Sequence, residues 1–261
     1  MPQITVTDSE RLGELAAEQI LQALSHRDHP VLGLATGSSP LSAYRALARL
    51  VAERGLDLSG LLGFALDEYV GLDPEHPESY HSVISSTVTE PLGLRPEQVR
   101  VPSGSADPAI ECADFEAAIL AAGGVDLQIL GIGRNGHLGF NEPGSPVDSR
   151  TRIVPLTDET VSDNARFFDG DTSLVPRSAI TQGLGTILDA QELIVIAIGS
   201  EKAAAVRGAL EGPVSVDLPA SVLRQHPRVH WYLDPLAAAL LSEDTLAAAA
   251  RLDAQAEPSA R

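Results

Sequence analysis

Residues 131–144 read Gly-Ile-Gly-Arg-Asn-Gly-His-Leu-Gly-Phe-Asn-Glu-Pro-Gly. Asn135, His137, Asn141 and Glu142 are packed into this short, glycine-bounded stretch, and all four can exchange protons or hydrogen bonds. An imidazole near a carboxylate is a proton-transfer pair. Pro143 fixes its own φ and drives Glu142 toward an extended conformation, which presents the carboxylate in one direction. A glycine pair after a strand is common, and a lone histidine is more often a surface or capping residue than a catalyst. A histidine five residues ahead of Glu-Pro in such a loop is harder to explain that way.

Three further stretches carry possible chemistry. Thr36-Gly37-Ser38-Ser39-Pro40 stands between an apolar run and a helical pattern. Glycine permits close backbone approach, the hydroxyls donate, and a helix N-terminus adds partial positive charge, so the stretch reads as an anion cradle. It lacks the G-x-x-x-x-G-K of a nucleotide loop, and a phosphate suits it better than a whole nucleotide. The competing reading is a helix start capped by Ser38 or Ser39, with Pro40 in the first turn. Asp67-Glu68-Tyr69 follows another apolar run; its acids are either turn formers or place one carboxylate in the crevice that holds His137. Lys202 is the only lysine among 18 basic residues, which leaves 17 arginines. It is either a chance surface survivor or marks a place where a compact ammonium is needed and a planar fork does not fit.

The elements that must position these residues alternate between strand and helix. Val31–Ala35, Leu61–Leu66, Val125–Leu130, Glu192–Ile198 and Val229–Leu233 are buried-strand runs, and Ile4–Val6 is a short edge strand. Gly131 and Gly133 are expected to turn the chain sharply where a side chain would clash. Helical patterns follow Asp8 or Ser9 and Pro40, and cover 78–89, 107–122, 158–168, the segment containing Lys202, and the stretch from Pro235. Gly183 and Gly185 mark a further turn. This alternation predicts an α/β fold, a three-layer α/β/α arrangement with a mainly parallel sheet. Ligands then bind outside the carboxyl ends of the strands, where the polar loops fall. One domain over 1–252 and a frayed tail over 253–261 are expected.

Composition narrows the partners. Hydrophobic residues make up 44% and aromatics only 4%, so the core is aliphatic. Against 36 acidic residues the net charge is −18, which argues against nucleic acid and anionic membrane. An anionic small ligand would therefore need local donors. One cysteine excludes a disulfide framework and a cysteine-based metal site. Without a leader-like segment or an apolar run of about 18 residues, a soluble cytoplasmic protein is expected.

Taken in order, A-T-G-S-S-P, L-D-E-Y-V-G-L, G-I-G-R-N-G-H-L-G-F-N-E-P-G, S-R-T-R and Q-G-L-G-T-I make the chain resemble the glucosamine-6-phosphate deaminases over about residues 3–235. The pair Ser79-Tyr80 adds to the likeness. The resemblance implies a Rossmann-like fold related to sugar isomerases, and conversion of glucosamine-6-phosphate to fructose-6-phosphate and ammonia in amino-sugar breakdown. It implies a catalytic set of Asp67, Asn135, His137 and Glu142. Asp67 is the base between carbons 2 and 1, and His137 opens the ring with Glu142 orienting it. Thr36, Gly37, Ser38, Ser39, Arg166 and Lys202 are implied to hold the phosphate, with no metal or redox cofactor. Asn135 stands where some members carry Asp, and an amide holds no counter-charge for imidazolium. Allosteric members use a second phosphate site; here Ser145 and Arg152 match it but Pro146 and Val154 do not. Hyperbolic kinetics in a monomer or small homo-oligomer are expected. A 6-phosphogluconolactonase would leave Asp67-Glu68-Tyr69 and Asn141-Glu142-Pro143 unexplained, and a non-catalytic sugar-phosphate sensor would not need the intact proton-transfer set.

Overall fold

The computed structural model describes residues 2–104 and 107–256. Its centre is a seven-stranded parallel sheet in the order β1-β10-β9-β6-β2-β3-β5. These strands are β1 (Gln3–Val6), β2 (Val31–Leu34), β3 (Leu62–Ala65), β5 (Val99–Arg100), β6 (Leu127–Leu130), β9 (Glu192–Ala197) and β10 (Val229–Leu233). Strands covered on both faces read as continuous apolar runs rather than alternating ones, and β2 and β6 are buried at every position. The helices are α1 (Ser9–Leu24), α2 (Leu41–Arg54), α3 (Tyr80–Ile84), α4 (Pro108–Ala121), α5 (Asp158–Asn164), α6 (Leu184–Leu188), α7 (Ala203–Glu211) and α8 (Glu243–Ala256). The expected α/β fold, a mainly parallel sheet flanked by helices, is the one observed.

Strand order fixes where a ligand can enter. β2 and β6 are neighbours, but the chain leaves β2 toward β3 and leaves β6 toward β9. The loops beyond these strand ends therefore diverge and open a crevice, the topological switch point of an open sheet. Tyr44, buried on α2, holds the near side of it. Its hydroxyl donates to the Ala35 carbonyl (2.9 Å) and accepts from the Ala35 amide (3.0 Å).

A second sheet was not visible in the sequence pattern. β4 (Asp67–Tyr69), β8 (Ser178–Thr181) and β7 (Arg152–Pro155) form an antiparallel sheet in the order β4-β8-β7. Only Leu66 separates β3 from β4, so the chain changes sheets within one residue. Asp67-Glu68-Tyr69 is thus a buried strand and not a turn. A small aromatic core lies with it: Tyr69 packs against Tyr80 (4.9 Å), Phe140 (5.6 Å) and Phe168 (5.9 Å).

Several local expectations are corrected. The helix over 78–89 is a five-residue α3, capped by Ser79, that continues as a π turn through Ser85–Thr89. The helix expected from Pro235 does not form there. Asp234 Oδ1 takes the amides of Gly199 (3.1 Å) and Ala237 (2.7 Å), and the chain turns before α8 begins at Glu243 behind the Ser242 cap. α8 runs through Ala256, so 253–256 are helical, and the rest of the expected tail lies outside the described residues. Lys202 sits not inside a helix but at the N-cap of α7, closing the 3-10 turn Ser200–Lys202.

The Tyr44 hydroxyl gives a test of this scaffold. Tyr44→Phe leaves the amide and carbonyl of Ala35 buried without their partner, so stability falls by about 1–3 kcal/mol. Urea unfolding measures it, and an unchanged midpoint would show that the hydroxyl contributes nothing.

Candidate active site

A cleft of about 310 Å³ opens at the switch point, and the ends of four adjacent strands line it. β2 leads into Thr36, Gly37, Ser38 and Ser39; β3 into Asp67; β6 into Gly131–His137; and β9 into Lys202. α5 and the 3-10 turn that continues it, Ala165–Phe167, add Asp163, Asn164 and Arg166. The sequence-derived residues Thr36, Gly37, Ser38, Ser39, Asp67, His137, Arg166 and Lys202 thus share one cavity.

One end of the cleft is built for an anion. Gly37 has φ +88° and open space where a Cβ would stand, so backbone conformation and not close approach requires glycine there. Pro40, not a serine, is the N-cap of α2, and no side chain caps it. The hydroxyls of Ser38 and Ser39 are therefore not spent on the helix, and its first-turn amides lack intrahelical acceptors. Burial lowers the pKa of Lys202; the charges of Glu201 and Asp163 oppose this, while those of Arg166 and Arg134 add to it. Three cations therefore gather in a protein of strongly negative net charge. Arg134, which sequence reasoning did not single out, lines the cleft and bonds Asp163 of α5 at 2.6 Å. Its place inside the 131–144 loop was the available signal.

The other end separates two acids. Asp67 is 4% exposed and its carboxylate has no hydrogen-bond partner among the described residues. Burial first, and then the charge of Glu68, push its pKa well above the ordinary carboxylate range. Glu68 turns the opposite way and accepts the amides of Tyr69 (2.8 Å), Tyr80 (3.0 Å) and His81 (2.8 Å), so it caps α3 and does not line the cleft. Gly139 makes the contact with Asp67 possible: at φ +57°, a Cβ there would stand 3.1 Å from Asp67 Oδ2 and 2.9 Å from Thr181 Oγ1.

The imidazole of His137 lies over Gly133, where any Cβ would overlap the ring. Gly131 faces open space and has no such role. His137 Nδ1 is buried without a hydrogen-bond partner and lies 3.6 Å from Glu142 Oε2. That separation is too long for a hydrogen bond and makes an ion pair only when the ring is protonated. Glu142 Oε2 accepts from Asn135 Nδ2 (2.7 Å), Oε1 accepts from the Thr160 hydroxyl of α5, and Asn135 Oδ1 takes the His137 amide (3.2 Å). Burial pushes the Glu142 carboxyl up, but His137, Thr160 and Asn135 together outweigh it and hold the group down to about 2. Asn135 and Glu142 thus stand behind the imidazole and do not line the cleft. Asn141, fully buried, is scaffold: it donates to the carbonyls of Leu138 (2.9 Å) and Gln182 (2.8 Å) and accepts from Arg152 (2.8 Å).

Among the described residues no three His, Cys, Asp or Glu side chains come together to hold a metal ion, and no helix is long and apolar enough to cross a membrane. The arrangement offers an anion site at one end and, at the other, a desolvated carboxyl opposite an imidazole backed by an ionised carboxylate.

The family model for glucosamine-6-phosphate isomerases and 6-phosphogluconolactonases matches residues 7–231. The chain belongs to this isomerase/lactonase family. Among its relatives is a glucosamine-6-phosphate deaminase of Cutibacterium acnes, 50% identical over 243 residues and 93% of each chain. Another, of Streptomyces avermitilis, is 50% identical over 242 residues, 92% of this chain and 93% of its own. A solved monomeric glucosamine-6-phosphate deaminase superposes with TM-score 0.88 at 38% identity, covering 91% of this chain and 99% of that one. A 6-phosphogluconolactonase from Trypanosoma brucei shares the fold at 20% identity and TM-score 0.73, with 93% and 99% covered.

For this member of the isomerase/lactonase family, the buried acid predicts a stability profile. A carboxyl whose folded pKa is raised contributes stability that is present at low pH and is lost as pH rises through the folded value. Asp67→Asn removes that loss. The variant should melt above the wild type at neutral pH, by about 2–4 °C per kcal/mol recovered, and the gap should close as pH falls toward the ordinary aspartate range. Thermal melts across this range check it, and a variant that melts lower at every pH would contradict it.

Proposed function

We propose that this chain is a glucosamine-6-phosphate deaminase that converts glucosamine-6-phosphate and water to fructose-6-phosphate and ammonia. The observation that carries the reading is Asp67, desolvated and without a hydrogen-bond partner among the described residues, in one cleft with His137 and a hydroxyl-rich anion loop. The family and the deaminase relatives at about half identity support it.

In this reading Thr36–Ser39, Arg166 and Lys202 hold the phosphate, which places carbons 1 and 2 near Asp67. His137 gives a proton to the ring oxygen and takes up the one released by the carbon-1 hydroxyl, so the bond between carbon 1 and the ring oxygen breaks and the sugar opens to its aldehyde. Asp67 removes the proton on carbon 2 and an enolamine forms between carbons 1 and 2. Return of a proton to carbon 1 makes that carbon a hydroxymethyl group and leaves an iminium at carbon 2. Water adds to carbon 2, its oxygen becomes the ketone, and the nitrogen leaves as ammonia. A base with a raised pKa suits carbon acids because its conjugate acid can return the proton near neutral pH. Glu142 and Asn135 set the ring of His137, and Glu142 supplies the counter-charge that Asn135 lacks. No metal or redox step enters. The chain acts as one domain, α8 included, of a cytoplasmic protein that is a monomer or small homo-oligomer.

The test is to follow ammonia and fructose-6-phosphate together from glucosamine-6-phosphate, with 6-phosphogluconolactone as the second substrate. Stoichiometric products from the amino sugar, and none with Asp67→Asn beyond about 1% of wild type, are expected. Lactone hydrolysis alone would replace the reading with its rival. Lys202→Gln should raise KM about ten- to a hundredfold and change kcat less, since a charge-assisted bond to phosphate contributes about 1.5–3 kcal/mol. An unaltered KM would remove Lys202 from the phosphate site.

Rate curves should be hyperbolic and indifferent to N-acetylglucosamine-6-phosphate. Arg152 is already engaged by Asn141 and by Ser145 (3.1 Å), while Pro146 has no hydroxyl or amide hydrogen and Val154 no charge. An effector without differential affinity for two states shifts nothing. Sigmoidal curves relaxed by micromolar effector would overturn this.

A further inference from the structure

Glu142 is held from two elements. Asn135 of its own loop donates to Oε2, and Thr160, eighteen residues away on α5, donates to Oε1. Thr160 is 5% exposed and its hydroxyl receives one from Thr157, the N-cap of α5, at 3.1 Å. The hydroxyls therefore form a directed chain, Thr157 to Thr160 to Glu142. The titratable group facing Glu142 is His137 of the same loop, whose Nδ1 approaches Oε2 at 3.6 Å; α5 faces the carboxylate with the neutral Thr160.

We propose that Thr160 is a positioning residue for the deaminase reaction, its hydroxyl fixing the plane of the Glu142 carboxylate so that Oε2 stays against His137. The inference rests on the reading of the cleft as a deaminase site. Asn135 alone grips a single oxygen, which leaves the carboxylate free to turn about its Cγ–Cδ bond and carry Oε2 away from the imidazole. A donor on Oε1 removes that freedom. It also matters for charge. Burial acts to protonate Glu142, and Thr160 is one of three groups that reverse it. Because Asn135 is neutral, the imidazolium formed around ring opening depends on this one carboxylate for its counter-charge.

The experiment compares wild type, Thr160→Val and Thr160→Ser by steady-state kinetics on glucosamine-6-phosphate across the acid side of the pH profile. Thr160→Val keeps the shape and loses the donor; Thr160→Ser keeps the donor. For Thr160→Val, kcat should fall about tenfold or more, with KM changed less than about threefold. Its acid limb should move to higher pH, since a buried Glu142 short of one donor takes up a proton more readily. Thr160→Ser should stay within about threefold of wild type, with the limb restored. If Thr160→Val gives no folded protein, Thr160→Ala carries the same comparison. A Thr160→Val enzyme within about twofold of wild type with an unmoved acid limb would overturn the proposal, as would equal impairment of the valine and serine variants. Absence of ammonia release by the wild type would overturn the deaminase reading and this inference with it; an active wild type beside an unaffected Thr160→Val overturns the inference alone.

Discussion

The site depends on keeping one carboxylate, Asp67, out of water beyond the carboxyl end of a strand of the parallel sheet. Desolvation opposes its ionisation, so the fold must hold the group in place by other bonds. The backbone immediately before it does so. The Leu66 amide bonds the Leu34 carbonyl at 2.9 Å, and the Leu66 carbonyl takes the Gln182 amide at 2.7 Å. Gln182 reaches on to the Ala65 carbonyl at 3.0 Å, and Asn141 fastens the His137 loop to the Gln182 carbonyl. The small antiparallel sheet therefore clamps the point where β3 becomes β4. Without that clamp, a residue that prefers water would turn toward it.

Two acids of one sheet end are driven in opposite directions, which is how a single cleft runs acid and base chemistry at one pH. Asp67 has burial and a neighbouring acid against ionisation; Glu142 has an imidazole, a hydroxyl and an amide in favour of it. Glu68, one residue from Asp67, is spent on the amide of Tyr69 and on the two amides at the start of α3. The same device answers the problem posed by net charge. A protein at −18 repels an anion at long range, but Lys202, Arg166 and Arg134 concentrate positive charge where the backbone amides of α2 also point.

α5 serves both ends at once. Thr160 reaches the Glu142 carboxylate, Asp163 holds Arg134, and Asn164 donates to the Tyr69 hydroxyl at 2.8 Å. Arg166 follows in the 3-10 turn that extends it and faces the cleft. One short helix thus ties the anion end, the proton-transfer end and the aromatic core beneath the second sheet.

The amino-acid sequence alone determined the parts whose signals are local. Continuous apolar runs such as Leu193–Ile198 mark strands buried on both faces, and hydroxyls or histidine set among glycines beyond them mark loops at strand ends. Tertiary structure alone decided which acid of Asp67-Glu68 enters the cleft, because that follows from pairing Asp67 with Thr181, more than a hundred residues on. It also decided that Pro40 and not a serine starts α2, and that the helix expected at Pro235 gives way to a turn held by Asp234. Strands as short as Asp67–Tyr69 and Arg152–Pro155 have too few residues for a periodicity, and their partners are remote. Thr160 has no motif; what it does is set by the segments folded against it. Local chemistry is written in residue types, but a side chain's partner across the fold exists only once the strands have found their neighbours.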